Sequence, residues 1–285
     1  MTLRDVYERT SKQITEQKLP GLFTHSRPSS RFRVLLVLGI LNIIFGIYAF
    51  FTYMNVSVSS IVYSDDVQST IFLPKGTSYI YISLDGVYQN YLSYTKSINY
   101  SQLSGKTENL SLSNTKPFDF LDDLPYYPAG AIPATYFQDQ ITIDGLEIQT
   151  ENLVRNSELN LIGTTEYLPD QIAIPENWTT ETNKGTVPLN TNEDSGLPIL
   201  NERFINWVNL STFPYFKKLW GIVDVEQEGN YNLSVISTYP FASKKEIYIA
   251  EKSLLGLPNY RAVVTIMAIG VIAILGSVYL NRMGY

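Results

Sequence analysis

The sequence reads VLLVLGILNIIFGIYAFFTYM over Val34–Met54, a run of 21 residues without a charged side chain. A second uncharged apolar run, AVVTIMAIGVIAILGSVYL, covers the 19 residues Ala262–Leu280. A helix rises about 1.5 Å per residue, so either run can cross a hydrocarbon core of roughly 30 Å. Between them lie 207 more polar residues, 55–261. This layout predicts two transmembrane helices bracketing one large domain, rather than two core helices of a soluble protein.

The distribution of basic residues predicts the orientation of the chain. The N-terminal tail, residues 1–33, carries seven Lys and Arg against three Asp and Glu, and the C-terminal tail, residues 281–285, carries Arg282. Residues 55–70 contain Asp65 and Asp66 and no base. Because basic residues favour the cytoplasmic side of a membrane, we expect both tails in the cytoplasm and residues 55–261 as a lumenal or extracellular ectodomain. Arg261 opposes this weakly and can snorkel to the interface.

Composition excludes several kinds of chemistry from the ectodomain. It holds 13 Lys and Arg against 24 Asp and Glu, an acidic balance that argues against binding nucleic acid. The chain has no cysteine, and its one histidine, His25, lies in the tail, which excludes thiolate nucleophiles, Ser-His-Asp triads and histidine metal sites from the ectodomain. No glycine-rich phosphate loop occurs. Carboxylates cluster at Asp119, Asp122 and Asp123 and at Asp224, Glu226 and Glu228. The first cluster could bind Ca²⁺ or act as an acid–base pair, but it lacks the alternating ligand spacing of a calcium loop and is interpreted as a solvated acidic loop. We therefore predict a non-catalytic chain without cofactor or metal.

Alternating apolar and polar residues predict a mainly β ectodomain. The alternating stretches are Tyr79–Leu84, Gln140–Ile148 with a turn at Asp144-Gly145, Tyr231–Tyr239 and Glu246–Ala250. Short helical patterns cover Asn201–Asn209 and Pro214–Trp220, and Pro175–Pro198 is typical of a long exposed loop. The predicted fold class is a membrane protein with two transmembrane α-helices and an antiparallel, sandwich-like β ectodomain carrying short helices and long loops.

Asn-x-Ser/Thr sequons give candidate N-glycosylation sites at Asn99, Asn109, Asn177 and Asn232. Two more sequons are weaker candidates, because Asn55 lies next to the first span and Asn209 lies in an apolar run that we expect to be buried. Asn42 is the one strongly polar residue near the middle of a span. Its amide is expected either to face another helix or to bond to its own.

Several stretches match the motifs of one family in order along the chain. Lys18-Leu19-Pro20 precedes the first span, like K-Q-x-x-L-P-A, and Tyr79–Leu84 leads into Tyr88-Gln89-Asn90, like Y-x-L-x-x-x-Y-Q-N. The other matches are Pro128–Ile132 with Phe137-Gln138-Asp139 (P-C-G-x-I-A-N-S-x-F-N-D), Phe204–Trp207 with Phe213–Trp220 (F-x-x-W-M…L-P-x-F-R-K-L-Y), Gly229-Asn230-Tyr231 with Tyr239-Pro240 (G-x-Y…N-Y-P), and Ser253–Gly256 (S-W-M-G). The chain thus resembles the cell division control protein 50 family, the beta subunits of type IV P-type ATPase phospholipid flippases.

The resemblance implies a partner protein rather than an enzyme. Such subunits form a heterodimer with the flippase alpha subunit, allow it to leave the endoplasmic reticulum and are needed for its transport cycle, so we expect this chain in the membranes of the endoplasmic reticulum, Golgi or cell surface. The partner-contact candidates are the tail (Lys18, Leu19, Pro20), the first span (Asn42), the tyrosine-rich segment (Tyr81, Tyr88) and the aromatic and basic segment (Phe213, Phe216, Lys217, Lys218). For Phe213 and Trp207 burial in the core is favoured over contact, and Lys217 and Lys218 are interpreted as a solvated face.

The chain departs from the family where its ectodomains usually carry two disulfides. Ala129 stands in place of the motif cysteine, Gln138 in place of the sequon Asn, and Gln140 in place of its Thr. Two other functions remain open. A trimeric ligand-gated channel subunit shares the layout, but its ectodomain would be rich in cysteine and the second span here offers only Thr265 and Ser277 for a pore. A cell-surface adhesion or receptor module fits the acidic β domain and leaves the second span unexplained.

Overall fold

The computed structural model describes residues 28–182, 185–188, 191–192 and 195–282, together with Thr15. The chain forms two units, one containing the two long helices and the other comprising Asn55–Leu257. In chain order the elements are α1 (Pro28–Met54), β1 (Val58–Tyr63), β2 (Val67–Leu73), β3 (Gly76–Asp85), α2 (Leu92–Thr95), α3 (Tyr100–Leu103), β4 (Phe120–Leu121), β5 (Leu124–Pro125), α4 (Ala131–Ala134), β6 (Gln140–Ile143), α5 (Asn156–Leu159), β7 (Thr179–Thr182), β8 (Gly185–Pro188), α6 (Glu202–Val208), β9 (Phe216–Val225), β10 (Gly229–Ile236), β11 (Lys244–Glu251) and α7 (Tyr260–Arg282).

Helices α1 and α7 contain the two predicted spans and extend beyond them. Each includes a 23-residue segment apolar enough to cross a membrane, Phe32–Met54 and Tyr260–Arg282. Large apolar side chains point away from the pair, and Phe51, Ile272 and Leu275 are each more than half exposed. A core helix of a soluble protein would bury these side chains, so the exposed faces fit contact with lipid.

The two long helices pack closely against each other. A Cβ atom added to Gly39 would lie 2.7 Å from Ile274 Cγ1 and 2.8 Å from the Gly270 carbonyl oxygen, so the helix backbones meet at these glycines. The Ser277 hydroxyl donates to the Phe32 carbonyl at 2.8 Å, near the other end of α7 from Tyr260. Asn42 Nδ2 donates to the Leu38 carbonyl of its own helix at 2.8 Å, while its Cβ lies beside Gly270. Asn42 therefore faces α7 of the same chain.

The second unit is an antiparallel β-sandwich, as expected. One sheet has the strand order β1-β11-β3-β9 and the other β2-β10-β6. Ile80, Ile82 and Leu84 of β3 and Leu233 and Val235 of β10 share one hydrophobic core. The predicted stretches Tyr79–Leu84 and Glu246–Ala250 lie in β3 and β11, paired so that Ile82 is opposite Ile247, and most of Tyr231–Tyr239 lies in β10.

The Gln140–Ile148 stretch is strand only in its first half. Strand β6 ends at Ile143, and after the turn only a single bridge, Ile143 to Leu146, continues the expected hairpin. The chain then crosses to the other sheet, where Gln149 pairs with Ile222 of β9. The second half of the expected hairpin is therefore wrong: beyond Leu146, Glu147 and Ile148 form no strand, and the next bridge, at Gln149, joins β9.

The helix predicted at Asn201–Asn209 is confirmed as α6, and the one predicted at Pro214–Trp220 is wrong. Asn201 caps α6, its side-chain oxygen accepting from the Phe204 backbone N–H at 3.2 Å. In contrast, residues from Phe216 onward form β9, where Phe216, Lys218 and Trp220 alternate into the core. Strand pairing with β3 overrides the weak helical pattern.

The stretch Pro175–Pro198 is more structured than the predicted loop. A 3-10 turn, Glu176–Trp178, leads into the hairpin of β7 and β8. Trp178 is fully buried, and its indole N–H donates to the Pro133 carbonyl at 2.8 Å. The indole N–H of Trp207 donates to the neighbouring Ile132 carbonyl at 3.0 Å. Two buried tryptophans therefore fix helix α4 to the core.

Candidate partner-binding surface

Five large side chains are exposed on two adjoining segments of the sandwich. One segment follows β3 (residues 87–92) and the other precedes β9 (residues 211–215). Three hydrogen bonds join the segments: Val87 N–H to the Pro214 carbonyl at 3.3 Å, Asn90 Nδ2 to the Thr212 carbonyl at 3.1 Å, and Ser211 N–H to Gln89 Oε1 at 2.9 Å. We call the exposed side chains the aromatic surface: Tyr88, Tyr91, Leu92, Phe213 and Tyr215.

A buried side chain and a contact between two rings support the aromatic surface. Gln89 is fully buried beneath it, and the rings of Tyr88 and Tyr91 lie 5.8 Å apart between centroids. Tyr88 is 52% exposed and Phe213 is 70% exposed. Large rings exposed to solvent on hydrogen-bonded segments are typical of protein–protein contact sites, where Tyr and Phe contribute large contact area.

The exposure of Phe213 corrects the expectation that it would be buried. Its backbone is held by Ser211, whose hydroxyl donates to the Phe213 carbonyl at 3.0 Å. The next residue, Pro214, accepts the hydrogen bond from Val87. The loop is therefore anchored through its backbone, which leaves the Phe213 ring outside the core. By contrast, Trp207 is fully buried, as expected.

Lys218 is buried and is not part of a solvated face. Its ammonium donates to the carbonyls of Asn206 at 2.9 Å and Trp207 at 3.3 Å, and also to that of Asn209. These carbonyls lie at the C-terminal end of α6, where the helix dipole favours a cation. Burial lowers the pKa of Lys218 to about 7. Lys218 thus ties β9 to α6 beneath the aromatic surface and is unavailable to a partner.

Phe216 and Lys217, two further partner-contact candidates, are not simply exposed to solvent. Phe216 belongs to the core, with its ring 6.2 Å from that of Trp207, so its side chain cannot reach a partner in this fold. Lys217 points to the outer face of the sheet, and its Nζ lies 3.3 Å from the centroid of the Tyr248 ring. Burial lowers the pKa of Lys217, and Glu246 opposes this effect. Its ammonium therefore rests on an aromatic ring rather than in open solvent.

Tyr81 lies half-buried on the same outer face of the four-stranded sheet. It is directly opposite Tyr248 in the β3–β11 register. Burial, followed by the neighbouring Tyr79 and Tyr248, raises the pKa of Tyr81. A tyrosine-rich sheet face with one Lys is therefore a second surface available for contact.

A buried ion pair fixes the Phe137-Gln138-Asp139 segment. Asp139 Oδ2 accepts from Lys245 Nζ at 2.9 Å and from the Tyr63 hydroxyl at 2.8 Å. Its Oδ1 accepts from the backbone N–H groups of Thr238 at 2.6 Å and Tyr239 at 2.5 Å. Burial, then the charge of Asp139, raises the pKa of Tyr63, which keeps its hydroxyl protonated. The Asp of this segment is therefore a structural anchor.

The sequons differ in accessibility. Asn109 and Asn232 are exposed, whereas Asn99 caps α3 and donates to the Ser111 carbonyl, and Asn177 donates to the Tyr136 carbonyl at 2.5 Å. Glycosylation stays a prediction at all four. Asn209 is exposed rather than buried, and its amide donates a hydrogen bond to the Glu158 carboxylate.

The tail candidates Lys18, Leu19 and Pro20 lie outside the described residues. Within the described part of the chain, no group of His, Cys, Asp and Glu is arranged to hold a metal ion.

Two apolar helices and a β-sandwich define the class: a two-span membrane protein with a large, mainly antiparallel β domain. The model of the LEM3 (ligand-effect modulator 3) family / CDC50 family matches residues 66–283, and the chain belongs to this family.

Similar proteins include cell cycle control protein 50C of Mus musculus, 29% identical over 231 residues that cover 72% of this chain and 67% of the relative. ALA-interacting subunit 3 of Arabidopsis thaliana is 28% identical over 64% of this chain and 52% of its own length. Cell cycle control protein 50A of Mus musculus is 25% identical over 72% and 64%, respectively. The matched region thus spans between about half and two thirds of these relatives.

Proposed function

We propose that this chain is the non-catalytic beta subunit of a phospholipid-flipping P-type ATPase, with which it forms a heterodimer. In this role it supports the folding of the ATPase, its exit from the endoplasmic reticulum and its transport cycle. Membership of the CDC50 family and the similarity to a protein named as an ALA-interacting subunit support a partner role. The chemistry of ATP hydrolysis and the lipid path then belong to the ATPase.

The observation that carries the proposal is the aromatic surface. Monomeric proteins rarely leave several large rings exposed on neighbouring, hydrogen-bonded segments, because contiguous exposed apolar area favours association. Tyr88 and Phe213 are the rings that we expect to enter the contact with the ATPase. Tyr81 and Lys217, on the sheet face, are additional candidates, as is the tail segment Lys18–Pro20.

The helix pair suits the same role. Its outward side chains are apolar and can contact lipid or the helices of a larger membrane protein. We propose that both tails are cytoplasmic, that residues 55–261 are lumenal or extracellular, and that the complex moves from the endoplasmic reticulum through the Golgi to the cell surface. Asn42 packs between α1 and α7, with its amide bonded to its own helix, so we assign it to the helix pair rather than to the partner contact.

The test is co-purification in mild detergent of the tagged full-length chain, with mass spectrometry of the proteins retained. A P-type ATPase of the lipid-flipping class in near-equal amount is the expected result. Phe213→Ala and Tyr88→Ala should each reduce its recovery, because a central aromatic contact contributes about 2 kcal/mol, roughly a 30-fold change in affinity. Phe72→Ala is the matched control, since Phe72 is an exposed ring on the other sheet.

The same preparation separates the alternatives. A stable homotrimer with ligand-gated current and no ATPase would replace the proposal with a channel subunit. Capture of a soluble ligand in the absence of any ATPase would favour an adhesion or receptor module. Equal ATPase recovery with all three variants would leave the partner role intact and refute the aromatic surface as the contact.

A further inference from the structure

A cavity of about 250 Å³ lies in the sandwich domain between the start of α6, β9 and the segment around Gln138. Its walls include Tyr136, Gln138, Asp139, Arg203 and Trp220. Such a space is large enough for a small molecule or several waters. The walls carry hydrogen-bond donors from Arg203, Gln138 and Tyr136 beside the carboxylate of Asp139.

The guanidinium of Arg203 supplies a positive charge to this cavity. Its Nε donates to the Trp220 carbonyl at 2.6 Å, and its Cζ lies 4.9 Å from the centroid of the Trp220 ring. Among the described residues, no carboxylate lies within ion-pairing distance of Arg203 and nothing accepts a hydrogen bond from its two terminal nitrogens. A largely buried cation without a counter-charge is unfavourable, and the acidic ectodomain offers 24 carboxylates that could have served.

A second donor on the cavity wall, the amide of Gln138, lacks a partner among the described residues, and the Tyr136 hydroxyl lies beside it in the same wall. Gln138 is 7% exposed, and its Nε2 has no hydrogen-bond partner. Tyr136 is almost completely buried and lines the same cavity. Burial raises the pKa of Tyr136, so the hydroxyl remains a donor at neutral pH. A buried donor such as Gln138 Nε2 is rarely left unpaired.

Asp139 does not neutralise Arg203. Both of its oxygens are occupied by the four donors described above, and its charge is balanced by Lys245. The cavity therefore retains the uncompensated charge of Arg203 together with an amide and a hydroxyl donor.

We propose that this cavity binds a small oxyanion of the phosphate or carboxylate type from solution. The terminal nitrogens of Arg203 form the planar fork that matches two oxygens of such a group, and Gln138 Nε2 and the Tyr136 hydroxyl supply the additional donors. The site is independent of the proposed partner function, since none of these three groups belongs to the aromatic surface.

The experiment is a thermal melt of the full-length chain in detergent, titrated with inorganic phosphate and, separately, with acetate. Sodium chloride at matched ionic strength is the reference. At least one of the two oxyanions is expected to raise the melting temperature in a saturable way, because a ligand that binds only the folded state stabilises it. Trp220 fluorescence should respond over the same concentration range.

Three variants make the test specific. Arg203→Met should abolish the shift, and Arg203→Lys, which keeps the charge without the fork, should weaken apparent affinity by about tenfold. Gln138→Leu removes an unpaired buried donor, so this variant should melt no lower than wild type in chloride and still lose about tenfold in affinity. Gln68→Leu, an exposed glutamine on β2, should respond like wild type. Equal responses of wild type and Gln138→Leu, or no shift beyond that of chloride, would overturn the proposal.

Discussion

Lys245→Met should destabilise the sandwich domain far more than any surface change. In the folded chain, Lys245 Nζ donates to Asp139 Oδ2 at 2.9 Å, to Ser237 Oγ at 2.5 Å and to the Tyr239 carbonyl at 3.1 Å. The variant leaves the Asp139 carboxylate buried with its hydrogen bonds from Tyr63 and the backbone but without a counter-charge. Removing one partner of a buried pair costs about 3–5 kcal/mol. For a domain of about 200 residues, this lowers the melting temperature by roughly 6–20 °C.

Tryptophan fluorescence reports this unfolding selectively. All three tryptophans, Trp178, Trp207 and Trp220, are buried in the sandwich domain, so the helix pair contributes nothing to the signal. Melts of the full-length chain in detergent should compare wild type, Lys245→Met and Lys244→Met. Lys244 is the exposed neighbour on the same strand, and its loss should change stability by no more than about 0.5 kcal/mol.

A double variant tests whether the uncompensated charge is the cause. Asp139→Asn keeps an oxygen for the Thr238 and Tyr239 backbone N–H groups and removes the charge, so Lys245→Met/Asp139→Asn should be more stable than Lys245→Met alone. The reasoning is refuted if the free energy of unfolding of Lys245→Met lies within about 1 kcal/mol of the wild-type value. It is also refuted if adding Asp139→Asn to Lys245→Met lowers stability further.

Two further predictions concern Lys218 and the helix pair. Because burial lowers the folded-state pKa of Lys218 from 10.5 to about 7, the unfolded chain holds one more proton between these values, and stability should rise with pH there. Between pH 7 and about pH 9 the free energy of unfolding of wild type should rise by roughly 2–3 kcal/mol relative to that of Lys218→Met. If the difference in stability between wild type and Lys218→Met does not change with pH, the prediction is contradicted. Gly39→Leu should separate α1 from α7 at a cost of about 1–3 kcal/mol, because its side chain meets Ile274 and the Gly270 backbone. The measurement is the yield of a short thiol cross-link between cysteines introduced as Phe32→Cys and Ser277→Cys. Gly39→Leu should lower this yield relative to the double-cysteine parent, whereas Ile44→Leu, at an exposed position of α1, should leave it unchanged. An undiminished yield in Gly39→Leu would exclude this packing role.

The elements that the sequence predicts well are those specified by local pattern. The spans follow from uncharged runs, and β3 follows from Ile80, Ile82 and Leu84 alternating with Tyr79, Tyr81 and Ser83. In both cases neighbouring residues along the chain contain the whole signal.

Prediction fails where burial depends on distant backbone groups. Strand β9 looks broken as an alternating pattern because Lys218 occupies an inward position, and that position is tolerated only because carbonyls at the end of α6 receive its ammonium. Phe213 is apolar and is nevertheless exposed, because the hydrogen bond from the Val87 N–H to the Pro214 carbonyl determines the course of its loop. Arg203 and Gln138 are far apart in sequence, and no local pattern links them to one cavity.

Gln102 has a consequence for how the protein matures. It is fully buried, its Nε2 donates to the Tyr126 carbonyl at 2.8 Å, and its Oε1 accepts from the Ala129 N–H at 2.9 Å. An amide therefore ties α3 to the residue that stands in place of the motif cysteine. Oxidation and disulfide exchange, which take seconds to hours, have no part in making this link. The native domain is thus attainable in a reducing compartment, without an oxidase or a disulfide isomerase.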